Sequence, residues 1–205
     1  MKAVDSNMEF RILEAAEKLF IEQGFAKTST GQIAKLAGCN QALVHYYYRT
    51  KDNLFEKIFE EKKRMIVANI LTPGLTEGTI DEKMTTLVGL HFDFLRANPK
   101  LLSFVLNEIW SNPERLKPLV DKLKYYPQPV ITQLDTELKK EAGKGNIHPI
   151  SGIDLLLTII SLNVAPFLMK PVMQMVLNLS DKEMEQILEQ RKKEVVETVL
   201  SRLRK

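Results

Sequence analysis

Between Ser29 and Tyr48 the chain starts a helix, stops it and starts another within 20 residues. Ser29 with Gln32 is a capping box, in which each residue satisfies a free amide of the other. Ile33, Ala34 and Ala37 form the apolar face of the helix it opens, and Gly38 ends that helix about nine residues later. Asn40 then caps a second short helix running through Tyr47 or Tyr48. Two short helices joined through Gly38-Cys39 have the composition of a helix-turn-helix. The turn requires a left-handed residue, which a β-carbon disfavours, and the two alanines let the helices approach closely. In such a motif the N-terminal residues of the second helix are free to enter a major groove. Any αα-hairpin can carry a glycine turn and alanines, so the pattern alone leaves both readings open.

The flanking sequence also reads as helical. Ser6 with Glu9 predicts a capped start, followed by Phe10, Leu13, Ala16, Leu19 and Phe20 at helical spacing and a stop at Gly24. Thr50 can cap a fourth helix with Leu54, Phe55, Ile58, Phe59 and Met65 as its buried stripe, ending near Leu71 where Thr-Pro-Gly breaks it. Further breaks fall at Asn98-Pro99, Asn112-Pro113, Gly143 to Pro149 and Asn178 to Ser180. No segment sustains a period of two, so the expectation is an all-α chain of about nine helices, four short and then about five longer.

Net charge is only +3, but its distribution is uneven. Gln23 to Lys51 contains no Asp or Glu, where the chain average of 26 in 205 would place about three or four. Lys27, Lys35, Arg49 and Lys51 lie in that acid-free window. Cys39 is the only cysteine, which excludes an internal disulfide or a thiolate cluster and fits a reducing cytoplasm. The first residues lack the apolar core of a signal peptide. Ile153 to Met169 is the most apolar stretch, but Asp154, Asn163 and Pro166 interrupt it, and it reads as a buried helix rather than a membrane span. The three histidines are scattered, no spacing suggests a metal or a cofactor, and no nucleophile–base pair or phosphate loop suggests an enzyme.

The segment from Thr28 to Phe55, T-S-T-G-Q-I-A-K-L-A-G-C-N-Q-A-L-V-H-Y-Y-Y-R-T-K-D-N-L-F, resembles the DNA-binding segment of the tetracycline-repressor (TetR) family. Ile33-Ala34, Ala37-Gly38, Tyr47-Tyr48, Lys51-Asp52 and Leu54 fall in register with its pattern, over roughly residues 6 to 70. The resemblance implies an N-terminal three-helix helix-turn-helix domain over 1–50. A C-terminal helical ligand-binding and dimerisation bundle would follow over 51–205, with helix 4, about 51–71, connecting the two. Successive helix residues point about 100° apart, so the rings of His45, Tyr46, Tyr47 and Tyr48 cannot share one stacked face. The family pattern puts Tyr48 in the core with Ile33, Ala37 and Val44, its hydroxyl at the rim, and puts Tyr47 against a phosphate. It puts His45 where a groove-facing Tyr usually stands; the ring could read a base or a phosphate. Tyr46 lies along the sugar-phosphate backbone. Gln41 can pair with adenine through two hydrogen bonds, and Ala42 can touch a thymine methyl. Leu43 stands where the family commonly has Thr or Ser, so a phosphate bond is expected to be missing there. Thr28, Ser29 and Thr30 at the start of helix 2, Asn40, and Lys51 at the start of helix 4 complete the expected DNA contacts. Ser29, Asn40 and Thr50 have a plainer role as caps, and Cys39 as a small core residue.

Beyond residue 80 the expectation is a sensing bundle. His91, Phe94, Phe104, Asn107, Trp110, Tyr126, Asn163 and Phe167 are the candidate lining of a pocket for a small apolar or amphipathic ligand, although such residues are equally at home in a core. The last two helices, about 151–177 and 180–204, resemble the family's dimer-forming pair. The expected interface uses Leu155, Ile159, Leu162 and Pro166-Phe167 on the first, with Met184, Ile187, Leu188, Val195, Val199 and Leu203 on the second. Pro166 and Pro171 are expected to kink the first. Together these readings imply a bacterial, cytoplasmic, homodimeric regulator without enzyme activity, usually a repressor, which binds a palindromic double-stranded operator and is released by a ligand. An apolar carrier, sensor or protein scaffold without sequence-specific DNA binding is the alternative. Such a protein has no reason to exclude every carboxylate from Gln23 to Lys51.

Overall fold

The computed structural model describes residues 2–66, 78–99, 102, 105–106, 114, 117 and 127–205; of residues 2–6, 63, 66 and 127–130 it describes the backbone only. Eight helices are assigned among the described residues: α1 (Lys2–Gln23), α2 (Thr30–Ala37), α3 (Gln41–Tyr48), α4 (Lys51–Ile66), α5 (Ile80–Ala97), α6 (Pro127–Gly143), α7 (Gly152–Leu177) and α8 (Asp181–Leu203). The expected breaks at Leu71 and at Asn112-Pro113 lie outside the described residues. The chain divides into two compact units, one holding α1 to α4 and the other α5 to α8.

In the first unit α1 starts at Lys2 and runs past Ser6, so Ser6 does not cap it. Helix continuation outweighs the local capping pattern there. Gly24 ends α1 with φ of 82°, and its N–H reaches the Phe20 carbonyl at 3.0 Å. Phe20, Phe25 and Phe55 then close the centre, with ring centroids 5.3 to 6.1 Å apart. Ile12, Ala16, Ile33, Ala37, Val44, Leu54 and Ile58 fill the space around them. Phe10, expected in the apolar face of α1, is exposed. The sequence boundary at residue 50 falls inside this unit, because α4 contributes Leu54, Phe55 and Ile58 to its core.

The second unit buries one continuous apolar layer. Met84, Leu87 and Val88 of α5 meet Leu134 and Leu138 of α6, Leu155 and Ile159 of α7, and Val195, Val199 and Leu203 of α8. A satellite cluster gathers Phe92, Met184 and Leu188, with Phe167 packed against it. Thr79 and Ser180 each form a capping box, with Glu82 and Glu183. The carboxylates of both glutamates are held below the ordinary range, because backbone and side-chain donors of their caps bond the ionised form. Asn178 in the left-handed region ends α7.

Two expectations about α7 are corrected. Leu155 and Ile159, assigned to a dimer face, are buried within the protomer, as are Met184, Leu188, Val195, Val199 and Leu203 of α8. The face left outside carries Ile153, Leu157, Ile160, Leu168, Met169, Val172, Met175 and Val176. The helix is therefore not buried all round, and by length and composition alone it is apolar enough to cross a membrane. Nearly every position of α7 is apolar, so its sequence pattern gave no direction. The face was set by packing against α5 and α8. Pro166 and Pro171 lie inside the helix, which continues through both.

Candidate nucleic-acid interface

The start of α2 forms as its sequence predicts. Ser29 Oγ accepts the Gln32 amide at 3.2 Å, and Gln32 Oε1 accepts the Ser29 amide at 2.8 Å. Gly38 takes φ of 70° and ψ of 40°, and its N–H reaches the carbonyls of Ala34 and Lys35, which terminates α2. A β-carbon there would stand 2.6 Å from Nη2 of Arg11, so the guanidinium of α1 lies directly over the turn. Asn40 Oδ1 accepts the Leu43 amide at 2.9 Å and starts α3. Burial raises the Cys39 thiol above its ordinary value despite the charge of Arg11, which leaves it a poor thiolate.

Tyr48 is buried and its hydroxyl donates to the Glu9 carbonyl at 3.1 Å, tying α3 to α1. Burial, helped by the charges of Glu9 and Glu61, pushes the phenol well above its ordinary pKa. The rest of α3 faces outward. Gln41, Ala42, His45 and Tyr46 are exposed, while Leu43 and Tyr47 are half-buried. Tyr46 and Tyr47 do touch, edge to face with centroids 5.2 Å apart, so the separation of the rings expected from helix geometry is incomplete. Neither ring stacks flat on the other, and Tyr46 remains 73% exposed.

A polar chain runs along this outer face. Gln41 Nε2 donates to Thr30 Oγ1 at 2.8 Å and lies 3.4 Å from His45 Nε2. His45 Nδ1 lies 3.0 Å from the carbonyl oxygen of Arg49. Arg49 has φ of 60°, unusual for a residue with a side chain, and caps α3 through an N–H bond to the His45 carbonyl. Arg49 thereby joins the site, although it is not among the residues expected there. Its spacing from Gln41 and His45, four residues at each step, was the available signal.

Two expected phosphate contacts have other geometry. Thr28 is 2% exposed, donates to the Gly24 carbonyl at 2.9 Å and accepts from Gln23 at 3.1 Å. Lys51 Nζ donates to the carbonyls of Phe25 at 2.9 Å and Thr28 at 2.8 Å, and sits 4.1 Å from the centre of the Phe25 ring. Its position at the positive end of α4 is thus accounted for by the loop between α1 and α2, whose carbonyls it gathers.

In the second unit, two of the expected ligand residues meet. Asn163 is fully buried, and its Nδ2 donates to the Val88 carbonyl at 3.0 Å and lies 3.1 Å from His91 Nδ1. Its Oδ1 is buried and has no hydrogen-bond partner among the described residues. Desolvation lowers the His91 pKa to about 4. Phe167 packs against Phe92 with centroids 4.9 Å apart, whereas Phe94 packs on the larger core layer. Phe104, Asn107, Trp110 and Tyr126 lie outside the described residues. A cleft of about 520 Å³ is lined by Thr79, Lys83, Glu137, Glu141, Asn146 and Arg204 among others, and none of the described ligand candidates, His91, Phe94, Asn163 and Phe167, borders it. Among the described residues no group of His, Cys, Asp and Glu could hold a metal ion.

Two family models match the chain. One, for bacterial regulatory proteins of the tetR family, covers residues 12–58, and one for a tetracyclin repressor-like C-terminal domain covers residues 81–199. The HTH-type transcriptional regulator QacR of Staphylococcus aureus is 41% identical over 28% of this chain and 31% of its own length. The chain thus spans about a third of that relative. The fatty acid metabolism regulator protein of Bacillus subtilis is 25% identical over 72% of this chain and 73% of its own. Among solved structures, a transcriptional regulator FadR from Bacillus subtilis in complex with stearoyl-CoA superposes with a TM-score of 0.67 at 21% identity, over 94% of this chain and 98% of that one. The fatty acid degradation regulator FadR from Bacillus halodurans gives 0.60 at 21% identity, over 92% and 94%.

Proposed function

This chain belongs to the tetR family of bacterial regulatory proteins and is a DNA-binding transcriptional regulator, and we propose that it acts as a homodimeric repressor whose two α3 helices enter successive major grooves of a pseudo-palindromic operator. The observation that carries this reading is the outer face of α3, held out by the Gly38 turn and the Asn40 cap inside a segment without carboxylates. Gln41, Ala42 and His45 face base edges. Ser29, Thr30, Tyr46 and Tyr47 lie toward the sugar-phosphate backbone, where amides at the start of α2 also favour anions. Thr28 and Lys51 act one step back, by fixing the loop that presents α2. The protein works in the cytoplasm, where its operator is.

The partner copy docks on the outward apolar face of α7. Met175 and Val176 are 81% and 73% exposed, and Leu157, Leu168, Met169 and Val172 continue the same surface. A stripe of this extent marks an interface on a soluble chain. Its two-fold repetition would set the separation of the α3 helices.

The ligand binds in the second unit beside His91 and Asn163, and its class is a long-chain acyl group on a polar carrier such as coenzyme A. The FadR relative with stearoyl-CoA suggests that class. Asn163 Oδ1, buried and without a partner among the described residues, lies one helical turn before Phe167, whose ring packs on Phe92, and offers a polar group in an apolar interior. Release from DNA requires that the ligand favour one spacing of the two protomers over the other, since equal affinity would shift nothing. The test is binding of the full chain to DNA from its own upstream region across a salt series. A slope of log K against log salt of several units is expected. The absence of any salt-dependent, sequence-selective binding would sink the proposal.

A further inference from the structure

We infer that Gln41 reads a base through its carbonyl oxygen alone, because Thr30 and His45 hold both protons of its amide. The inference rests on the regulator reading above and fixes the chemistry of one position in the operator. A glutamine side chain offers two donors and one acceptor, and the familiar bidentate pair with adenine spends one of each, on N7 and on the N6 amino group. Here one amide proton goes to Thr30 Oγ1, 2.8 Å away on the first residue of α2. The other points to His45 Nε2 at 3.4 Å.

The polarity of that second contact is set at the far side of the ring. His45 Nδ1 lies 3.0 Å from the carbonyl oxygen of Arg49, and a carbonyl oxygen only accepts. Nδ1 therefore carries the proton, and in the neutral ring Nε2 is left with its lone pair. An amide turned end for end would set Oε1 against that lone pair, so the nitrogen is the end that faces His45. Oε1 is the end left unspent; it lies over Gly31, where a β-carbon would come within 3.8 Å of it, and both Gly31 and Gln41 are exposed. A lone acceptor in the major groove can meet the amino group of adenine or of cytosine, but not the carbonyl edges of guanine or thymine. The predicted position in the operator accepts adenine and cytosine and rejects guanine and thymine. Thr30 and His45 are positioning residues in this scheme, and the carbonyl of Arg49 is the anchor that orients His45.

The experiment selects duplexes from a library with a randomised stretch, using the full chain, and locates the position whose preference is lost in Gln41→Ala. With adenine placed there, replacement by 7-deazaadenine removes N7, and replacement by purine removes the amino group. The expected result for the wild type is unchanged binding of the 7-deazaadenine duplex and a loss of about tenfold for the purine duplex. Cytosine at the position should bind as adenine does. In Thr30→Val one amide proton is released, and 7-deazaadenine should then weaken binding several-fold, a change that a merely structural role of Thr30 would not produce. Equal losses from both analogues with the wild type would show a bidentate contact and overturn the inference. So would a Gln41→Ala variant that alters no position. A library that yields no enriched sequence would overturn the regulator reading itself, and this inference with it.

Discussion

Replacing Lys51 by Met should cost stability rather than a phosphate contact. The methionine keeps most of the aliphatic stem and deletes the ammonium, which bonds the Phe25 carbonyl at 2.9 Å and the Thr28 carbonyl at 2.8 Å. Hydrogen bonds to a charged donor contribute about 1.5–3 kcal/mol each, and the contact with the Phe25 ring about 0.5–1 kcal/mol at a site open to water. The sum overstates the loss. The Phe25 carbonyl keeps the Thr28 amide at 3.2 Å, and Lys51 is only half-buried, so the freed carbonyl of Thr28 can take a water. A net destabilisation of about 2–3 kcal/mol remains. Chemical denaturation of the variant should show that shift, with hydrogen exchange accelerating first in Phe25 to Thr28 and the start of α2. Operator affinity should fall as α2 loses its support, but the slope of log K against log salt should stay where it is in the wild type. A lysine that neutralised a phosphate in each protomer would behave differently, lowering the slope by about 1.8 for the dimer. Unchanged stability together with that reduced slope would refute the assignment of Lys51 to the loop.

His91 makes the second unit acid-sensitive. Its folded pKa of about 4 lies below the ordinary 6.5, so between these values the unfolded chain binds the proton and the folded one does not. The burial is without charge cost above pH 6.5, and stability falls as pH drops toward 4, by about 3 kcal/mol from this residue. Denaturation of wild type and His91→Gln at both ends of that window should show a shallower fall in the variant; equal falls would mean His91 titrates normally. On α7, Val172→Glu with Met175→Glu places two charges on the outward face without touching Leu155 or Ile159 of the protomer core. Sedimentation should report a folded monomer that no longer binds its operator tightly. A dimer that survives both charges would move the interface elsewhere.

How much of this was legible in the sequence depended on how far each signal had to reach. Ser29 with Gln32, Gly38 and Asn40 act on amides or carbonyls within about four residues, and each forms as the sequence predicts. Ser6 with Glu9 has the same pattern, but nothing after Lys2 breaks the helix ahead of it, so the cap has no end to act on. The membership of Tyr48 in the core was readable from the resemblance, which puts it at a core position of the family's motif together with Ile33, Ala37 and Val44. Lys51 was not readable in that way. Its charge and its place at the start of α4 were visible, but its partners stand 26 and 23 residues upstream, in a loop whose carbonyls converge only when Phe20, Phe25 and Phe55 have packed.

α7 shows a second kind of limit, in which the pattern was present but symmetric. With apolar residues at nearly every turn, its sequence could not say whether Leu155 or Leu157 faced the core. The one informative residue was Asn163, because a fully buried amide must find partners, and Val88 and His91 of α5 supply them on one side only. That contact sets the rotation of the helix about its axis. Once Asn163 points to α5, residues 155 and 159, eight and four positions before it, must follow it inward, and 157, 160, 168 and 172 must face out. The polar residue that interrupts the longest apolar run is therefore what separates the protomer's own core from the surface left for a second copy. Its Oδ1, unpaired among the described residues, is the polar atom that the proposed ligand would engage, on that same axis-setting residue. A ligand that drew on Oδ1 would act on the helix whose outer face is the proposed dimer surface, which is the coupling that the proposed release from DNA requires.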